Sequence, residues 1–451
     1  MNSNTVHLEE LPYQPDSCSL FECIRELPGA LLLDSAYPHS QAGRFDILTA
    51  CIEESNPFSS SLTDTYDSID KYFIDLKDMH NEHCQGLVPV AEDIPFCGGI
   101  AGYLDYELGN PLQRLPANPP GVGQLHFYHW AVIQDHLLQR CTFAALPSLA
   151  SAQRTDLLER LRKPRRQRED ATFKLRRPFQ SNLDREQYRH ALQVIQRYIR
   201  AGDCYQVNLA QRFSSEFEGD PWHAYCLLRP LAGAPFSGFM QLGADQHLLC
   251  LSPERFLRLS GHHVETRPIK GTRPRHRDLA ADKLAAEELR RSTKDRAENL
   301  MIVDLLRNDI GRNCVSGSIR VDRLFELESF PTVHHLVSTI SGELLPDRGA
   351  FELLRDSFPG GSITGAPKRR AMEVIAELEP HPRGAYCGSM LYISADGRMD
   401  SNIAIRSLAC QQQQIHCWGG GGIVADSDWE LEYQETWDKV GRFISALEQT
   451  L

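Results

Sequence analysis

The stretch IHCWGGGGIVADSDWELEYQETWDKVGRFISALEQT, residues 415–450, contains both element types from which the fold is built. Its first part is short, apolar and rich in glycine, which is typical of a strand. Its second part, from about residue 429 to 450, has the apolar spacing of a long helix. The consecutive glycines at 419–422 let backbone N–H groups approach an anion closely. This segment is therefore either a carboxylate-binding strand or a tight turn.

Strand and helix patterns come in clusters along the rest of the chain. Short apolar runs in the first 150 residues predict strands more than long helices, and helical patterns follow at about 184–202, 279–310 and 367–379. Because the two types do not alternate strictly, the pattern favours an α+β fold over a doubly wound sheet. A charged, proline-containing stretch at 161–183 predicts a connection between an N-terminal domain, 1–160, and a catalytic domain, 184–451.

Composition excludes several classes of function. The 451 residues carry a net charge of −12, which argues against general binding to nucleic acid or to a membrane surface. No apolar run is long enough for a transmembrane helix, and MNSNTVHLEELPYQ lacks the pattern of a secretory signal. The 13 cysteines form no C-x-x-C pair, which indicates reduced thiols. We expect a soluble, acidic, cytoplasmic protein.

One lysine lies in an unusually basic stretch. In TRPIKGTRPR, residues 266–275, Lys270 is surrounded by Arg267, Arg273 and Arg275. Like charges disfavour a protonated amine, so Lys270 is a candidate for a lowered pKa and a nucleophilic role. The alternative is an ordinary solvated basic loop.

Carboxylates fall on or beside the apolar faces of two predicted helices. Glu298 lies on the apolar stripe of the helix 296–312, and a buried carboxylate must be paired, hydrogen-bonded or bound to a cation. A salt bridge and metal ligation explain Glu298 equally well. Glu432, Glu435 and Lys439 share one edge of the last helix, where Glu435 and Lys439 also form an ordinary i,i+4 pair. Together, carboxylates from two helices suit a hard cation such as Mg²⁺.

The glycine-rich segment FPGGSITGAPK, residues 358–368, does not match a phosphate-binding loop. Gly365 is followed by Ala-Pro-Lys rather than Lys-Ser/Thr, and Pro367 removes a backbone donor that phosphates would need. Taken alone, the segment predicts a tight turn.

Six motifs in one order resemble the chorismate-using enzymes, which include anthranilate synthase component I, isochorismate and salicylate synthases, and aminodeoxychorismate synthase component I. The motifs are SPERF (252–256), RPIKGTRPR (267–275), AENLMIVDLLRNDIGR (297–312), VHHLVSTI (333–340), FPGGSITGAPK (358–368) and GGGGIVADSDWELEYQET (419–436). The resemblance covers nearly the whole chain and is strongest from about 184 to 446. It implies a large two-sheet, β-sandwich-like core wrapped by helices.

Within this family, Lys270 resembles the lysine of aminodeoxychorismate synthases, where anthranilate synthases carry alanine. Isochorismate-type members place a catalytic lysine at the position of Gln206, and glutamine cannot deprotonate a water. The resemblance implies that Lys270 attacks C2 of chorismate while Glu254 protonates the departing C4 hydroxyl, and that ammonia then adds at C4. The implied product is 4-amino-4-deoxychorismate, on the route to p-aminobenzoate and folate. Alternatives are amination at C2, as in anthranilate synthase component I, or a non-catalytic subunit that binds chorismate or tryptophan.

The resemblance also assigns residues to binding roles. Glu298 and Glu435 resemble direct Mg²⁺ ligands, and Glu432 and Asp295 resemble ligands acting through water. The residues that resemble a substrate site are Thr364, His334, Tyr386, Arg406, Gly420, Gly421, Gly422 and Lys439. For His334, a core histidine with satisfied hydrogen bonds is the alternative.

A further ligand and a partner subunit are also implied. Relatives hold tryptophan in their N-terminal half, and the matching positions here are Ser35, Ala42, Gly43, Arg44, Phe45, Phe236, Ser237 and Gly238. The chain contains no G-x-C-x-G nucleophile motif of a glutaminase. It is therefore expected to take ammonia from a separate glutamine amidotransferase subunit, in a heterodimer.

Overall fold

The computed structural model describes residues 4–40, 43–52, 58–59, 65–116, 119–163, 172–330 and 333–451. In these ranges the helices are α1 (Cys18–Phe21), α2 (Tyr66–Cys84), α3 (Gly109–Leu112), α4 (Ser151–Arg162), α5 (Arg185–Ala201), α6 (Pro221–Ala232), α7 (Leu279–Arg291), α8 (Thr293–Gly311), α9 (Ala350–Ser357), α10 (Lys368–Leu378) and α11 (Trp429–Glu448). No helix in the described ranges is long and apolar enough to cross a lipid bilayer.

The strands of the same ranges form two large sheets. They are β1 (His7–Leu11), β2 (Leu31–Asp34), β3 (Phe45–Thr49), β4 (Phe58–Ser59), β5 (Gly99–Leu104), β6 (Gly123–Tyr128), β7 (Trp130–Asp135), β8 (Arg140–Ala145), β9 (Phe173–Leu175), β10 (Gln180–Ser181), β11 (Gln206–Gly219), β12 (Phe236–Gly243), β13 (Gln246–Ser252), β14 (Arg255–Ser260), β15 (His263–Arg267), β16 (Ile269–Pro274), β17 (Arg320–Ser329), β18 (Val333–Glu343), β19 (Gly365–Ala366), β20 (Ser389–Ser394), β21 (Met399–Asn402), β22 (Ser407–Gln411) and β23 (Gln414–Ile423).

The first sheet runs β1-β8-β7-β3-β2-β12-β13-β22-β23-β11-β10, with β9 and β19 also paired to β11. The second runs β16-β18-β15-β14-β21-β20-β5-β6-β4, with β17 paired to β18. Neighbouring strands are antiparallel, as in the pairs β11–β23 and β15–β18. The predicted α+β fold with a two-sheet core wrapped by helices is confirmed.

Strands from both ends of the chain share each sheet. In the first sheet β2 pairs with β12, and in the second β5 pairs with β20. The predicted division into 1–160 and 184–451 therefore does not coincide with a division between the sheets. It stays a prediction about how the sequence is organised, and residues 164–171 of its connection lie outside the described ranges.

The predicted helices in the second half begin and end where local signals place them. Asp184 caps α5 by accepting a hydrogen bond from the Gln187 backbone N–H, and the helix ends at Gly202 in the left-handed region, with φ 85°. The Asp428 side chain caps α11, and Ser292 caps α8. These caps place the carboxylates of α8 and α11 in their first two turns, near the sheets.

The expectation of strands rather than long helices before residue 150 is wrong at α2, which is 19 residues long. Its buried positions, Ile69, Tyr72, Phe73 and Leu76, recur at helical spacing, and Thr65 caps its first turn. The apolar face of this helix was present in the sequence, but the expectation for the first 150 residues was based on short apolar runs elsewhere in that region.

A buried ion pair joins the two halves of the chain. Arg229 on α6 donates to both carboxylate oxygens of Asp34 on β2, at 2.6 and 3.0 Å, and Tyr225 also donates to Asp34 at 2.6 Å. The side chains of Arg229 and Asp34 are almost completely buried. Removing one partner of such a pair leaves an uncompensated buried charge.

We therefore expect Arg229→Met to destabilise the fold by about 3–5 kcal/mol, measured by urea unfolding. Arg197→Met is the matched control, because Arg197 is exposed on α5 and its loss is expected to change stability by less than about 0.5 kcal/mol. Equal effects of the two substitutions would contradict this role for the pair.

Candidate active site

Lys270 lies in β16, at the end of the second sheet, and its amine points toward the segment 358–367. Its Nζ donates a hydrogen bond to the backbone carbonyl of Ser362 at 2.9 Å. Burial lowers the pKa of Lys270 from its ordinary 10.5. The carboxylates of Glu298, Glu254 and Glu435 oppose this shift, which places all three near the amine.

The neighbouring arginines do not cause this lowering, contrary to the sequence-based argument. Arg273 bonds Glu288 and Asp295, Arg275 bonds Asp282, and Arg267 bonds Glu328. Each guanidinium is thus neutralised by a carboxylate partner of its own. The shift in the pKa of Lys270 comes first from burial, and Lys439 on α11 is the cation that adds to it.

Glu254 follows β13 and is buried, with 5% of its surface exposed. Burial raises its pKa, while a hydrogen bond with the Ser362 side chain and the charge of Lys270 oppose the rise. Its backbone is fixed as well, because its N–H donates to Ser252 Oγ and its carbonyl accepts from the Ile403 N–H. A buried carboxyl with a raised pKa beside a lysine of lowered pKa is an acid–base pair with both groups shifted toward their neutral forms.

The segment 358–367 is an ordered loop that several buried donors fix. Arg383 donates to the Ile363 carbonyl at 2.9 Å, and the Asn208 N–H donates to the Thr364 carbonyl at 2.8 Å. Lys368 donates to the Ser357 carbonyl and to Asp309, both at 2.8 Å. The Thr364 hydroxyl donates to the Gly360 carbonyl at 3.1 Å, within the loop.

The glycines 419–422 lie inside β23, so the alternative of a tight turn is wrong and the strand is confirmed. At three of them a neighbouring side chain lies close to the place that a side chain would take. A Cβ on Gly420 would lie 2.8 Å from the Tyr386 hydroxyl, one on Gly421 would lie 3.2 Å from Glu432 Oε2, and one on Gly422 would meet Gln206 Nε2. The glycines let Tyr386, Glu432 and Gln206 approach the strand closely.

Three groups around this strand can contact an anion. Tyr386 is buried and stacks on Trp418, with ring centroids 5.9 Å apart. Lys439 donates to the Gly420 carbonyl at 2.6 Å and pairs with Glu435 at 2.7 Å. Arg406, which has φ 52°, makes no hydrogen bond or ion pair within the described ranges.

The state of Arg406 is unusual for a guanidinium. Burial lowers its pKa to about 10, Arg442 acts in the same direction, and Glu254 opposes both. A desolvated guanidinium without a carboxylate partner among the described residues is suited to bind the carboxylate of a ligand. Its nearness to Glu254 places that ligand at the same site as Lys270.

The predicted metal-binding carboxylates converge, but lysines and an arginine bond them. Lys294 lies 3.2 Å from Glu432 and 3.9 Å from Glu298, Glu435 pairs with Lys439, and Asp295 pairs with Arg273 at 3.2 Å. Burial raises the pKa of Glu298 to about 7, with Glu432 and Asp295 adding to the rise. Among the described residues, no group of three or more His, Cys, Asp or Glu side chains is arranged to hold a metal ion. The oxygen donors of α8 and α11 fit a hard cation in chemical type.

His334, the predicted ring-lining histidine, is not among the side chains that the structure brings together. Its imidazole bonds Asp282 at 3.1 Å and Ser329 at 2.8 Å, in agreement with the alternative of a satisfied histidine. Its neighbour His335 lies on the opposite face of β18, where it bonds Thr272 at 2.9 Å. Burial lowers the pKa of His335 to about 3, and Arg406 adds to the lowering.

A cavity of about 690 Å³ lies between the two sheets, apart from the site around Lys270. Of the residues predicted to hold tryptophan, Gly43, Arg44, Phe45, Phe236 and Ser237 line it. Ser35 and Gly238 do not line this cavity. The Ser35 hydroxyl donates to Asp46, and Gly238 packs between Leu32 and Met390. Ala42 lies outside the described residues.

Comparisons with known proteins identify the family of this chain. Residues 35–445 match the family described as chorismate binding enzyme. This chain belongs to the chorismate-binding enzymes. It is 44% identical to aminodeoxychorismate synthase component 1 of Salmonella typhimurium (strain LT2), over 97% of each chain. Identity to the protein of that name from Escherichia coli (strain K12) is also 44%, over 95% of each chain.

A solved structure of anthranilate synthase component I from Streptococcus pneumoniae TIGR4 matches with a TM-score of 0.73. It is 30% identical and covers 90% of this chain and 93% of that one. The family predicted from the six motifs and its fold are therefore confirmed.

This chorismate-binding enzyme carries Lys270, Glu254 and Arg406 around one site, together with two residues that motif reasoning did not place there. The motifs named His334 and not its neighbour His335, and Arg383, which holds the loop, has no local sequence signal.

The buried state of His335 predicts a pH effect on stability. Because the pKa of His335 is about 3 in the folded protein and 6.5 in its ordinary state, the unfolded chain binds a proton between these values that the folded protein does not. Stability is therefore complete above pH 6.5 and falls as the pH decreases toward 3. At pH 5 the loss from this residue is expected to be about 2 kcal/mol.

Urea unfolding at pH 7.5 and pH 5 checks this effect. The loss of stability between the two pH values is expected to be smaller in His335→Asn than in the wild type, by about 2 kcal/mol. His262→Asn is the control, because His262 is exposed on a turn. The same loss in all three proteins would show that His335 does not resist protonation.

Proposed function

We propose that this enzyme is the chorismate-aminating component of an aminodeoxychorismate synthase, converting chorismate and ammonia to 4-amino-4-deoxychorismate. The observation that carries the proposal is the pairing of Lys270, an amine of lowered pKa, with Glu254, a buried acid of raised pKa. The 44% identity to two proteins named aminodeoxychorismate synthase component 1, over nearly the full chain, supports the same activity.

The first step uses both groups of this pair. The neutral Lys270 amine forms a bond to C2 of chorismate, the ring double bonds shift, and the bond from C4 to its hydroxyl breaks. Glu254 donates a proton to the departing oxygen, which leaves as water. The hydrogen bond from Lys270 to the Ser362 carbonyl holds the amine at the loop while the nucleophile is formed.

The second step exchanges nitrogen atoms. Ammonia forms a bond to C4, the bond between C2 and the Lys270 nitrogen breaks, and Lys270 leaves as a neutral amine. The new ammonium returns a proton to Glu254, so the net change replaces a hydroxyl by an amine and releases water. Lys270 thus directs nitrogen to C4 by occupying C2. Gln206, buried beside Gly422, has no basic atom with which to activate water at C2.

The substrate carboxylates are assigned to the groups near β23. Arg406 is free within the described ranges to bind a carboxylate through two N–H groups, and Tyr386 and Lys439 lie beside Gly420. His335, neutral and next to Arg406, faces the same site and takes the ring-lining role first given to His334.

Mg²⁺ is assigned to the carboxylates of α8 and α11. Glu298 and Glu435 would be direct ligands, and Glu432 and Asp295 would act through water, after Lys294, Lys439 and Arg273, which now pair with these carboxylates, have moved. When bound, the metal neutralises the ring carboxylate of chorismate and orients it.

A partner subunit and a second ligand complete the proposal. The name "component 1" of both relatives fits a second subunit, and we assign the supply of ammonia to a glutamine amidotransferase. Tryptophan is assigned to the cavity between the sheets, where Arg44, Phe45 and Phe236 offer aromatic and cationic contacts.

Product analysis tests the proposal against amination at C2. Purified protein is incubated with chorismate, MgCl₂ and excess ammonium chloride, and the products are separated by chromatography with mass detection. A product that keeps the enolpyruvyl group and carries an amine in place of the hydroxyl is expected. Anthranilate with free pyruvate would instead identify an anthranilate synthase, and no consumption of chorismate would identify a binding subunit without turnover.

Lys270→Ala is expected to lower the rate of C4 amination by at least about tenfold, because the covalent route is lost. Binding of chorismate, followed by quenching of tryptophan fluorescence, is expected to change much less. Lys283→Ala, on the exposed face of α7, is the control. A variant that forms the product at the wild-type rate would rule out Lys270 as the nucleophile.

A further inference from the structure

Lys294 lies at the junction of the two carboxylate-bearing helices. It is in the first turn of α8, four residues before Glu298, and its Nζ lies 3.9 Å from Glu298 Oε1. The same Nζ is 3.2 Å from Glu432 Oε1 on α11. A single ammonium thus bridges carboxylates from two helices that meet at the active site.

The carboxylates at this junction differ in how firmly they are fixed. Glu432 is buried and also accepts a hydrogen bond from Ser427 Oγ at 2.7 Å. Glu298 has 16% of its side chain exposed, whereas the Lys294 side chain is 50% exposed. The carboxylates are therefore held in place, and the lysine is the group that can move into solvent at little cost.

The Lys294 ammonium and a divalent cation compete for the carboxylates of Glu298 and Glu432. An ammonium within 4 Å of both carboxylates would repel a divalent cation placed between them. The other acidic groups have different partners, since Glu435 pairs with Lys439 and Asp295 with Arg273. Lys294 therefore lies within 4 Å of one proposed metal-binding carboxylate on each helix, where its charge opposes a metal ion that bridges α8 and α11.

We propose that Lys294 is a built-in competitor of Mg²⁺, which neutralises Glu298 and Glu432 in the metal-free enzyme and moves into solvent when the metal binds. This inference rests on the Mg²⁺ binding proposed above. It assigns Lys294 a regulatory role: the lysine prevents repulsion between the carboxylates and sets the Mg²⁺ concentration at which the site fills.

Isothermal titration of MgCl₂ into the wild type and Lys294→Met tests the proposal without measuring activity. Removing the competing charge is expected to tighten Mg²⁺ binding by at least about fivefold, since a half-exposed ion pair of about 1 kcal/mol no longer has to be broken. Lys283→Met is the matched control, because it removes one exposed lysine of the neighbouring α7. Its affinity is expected to equal that of the wild type.

A thermal melt gives a second readout of the same competition. Without metal, Lys294→Met is expected to melt below the wild type because Glu298 and Glu432 then repel each other. MgCl₂ is expected to raise its melting temperature more than that of the wild type.

The outcomes distinguish the role of Lys294 from the existence of the Mg²⁺ site. Equal or weaker Mg²⁺ affinity in Lys294→Met, with clear binding by the wild type, would overturn the role of Lys294 alone. Absence of binding in every protein would overturn the proposed metal site as well.

Discussion

The active site depends on keeping one amine buried, with a lowered pKa and a fixed direction. The Lys270 amine meets this constraint by donating to the Ser362 carbonyl at 2.9 Å, which joins the edge of the second sheet to the loop 358–367. The loop in turn contacts the first sheet, where the Asn208 N–H of β11 donates to Thr364. The hydrogen bond of Lys270 therefore lies where the two sheets and the loop meet.

Buried cations of the protein hold this loop on more than one side. Arg383 bonds the Ile363 carbonyl and pairs with Glu379 at 2.7 Å, while its own backbone N–H donates to Glu107 from the N-terminal half. Lys368 bonds the Ser357 carbonyl and Asp309. Burying these charges is tolerated because each has a carboxylate partner and satisfied donors. Arg406 contrasts with them, because within the described ranges its guanidinium has no such partner, which suits the binding of a ligand carboxylate.

Much of this arrangement could be predicted from local patterns. Helix α8, with Glu298, and helix α11, with Glu432 and Glu435, follow from apolar spacing and caps, and β23 follows from its apolar, glycine-rich run. Lys270 and Glu254 were found through short motifs, in which the chemistry depends on residues close together in sequence.

What could not be predicted depends on contacts distant in sequence. Residues on β18 are buried on both faces, so alternation could not tell which of the two histidines lies near Arg406, and the motifs named only His334. The lowered pKa of Lys270 was attributed to adjacent arginines, whereas burial and Lys439, 169 positions later in the chain, determine it. The supporting bonds of Arg383 likewise reach Ile363 and Glu107 from separate segments.

The most direct test of the account is to look for the covalent bond to Lys270. The enzyme is incubated with chorismate and Mg²⁺ without ammonia, quenched, digested and analysed by tandem mass spectrometry. We predict that the peptide containing Lys270 gains the mass of chorismate less one water, with the added mass on the lysine nitrogen, and that ammonium removes it. An enzyme that aminates chorismate at C4 while no adduct forms at Lys270 would contradict the account.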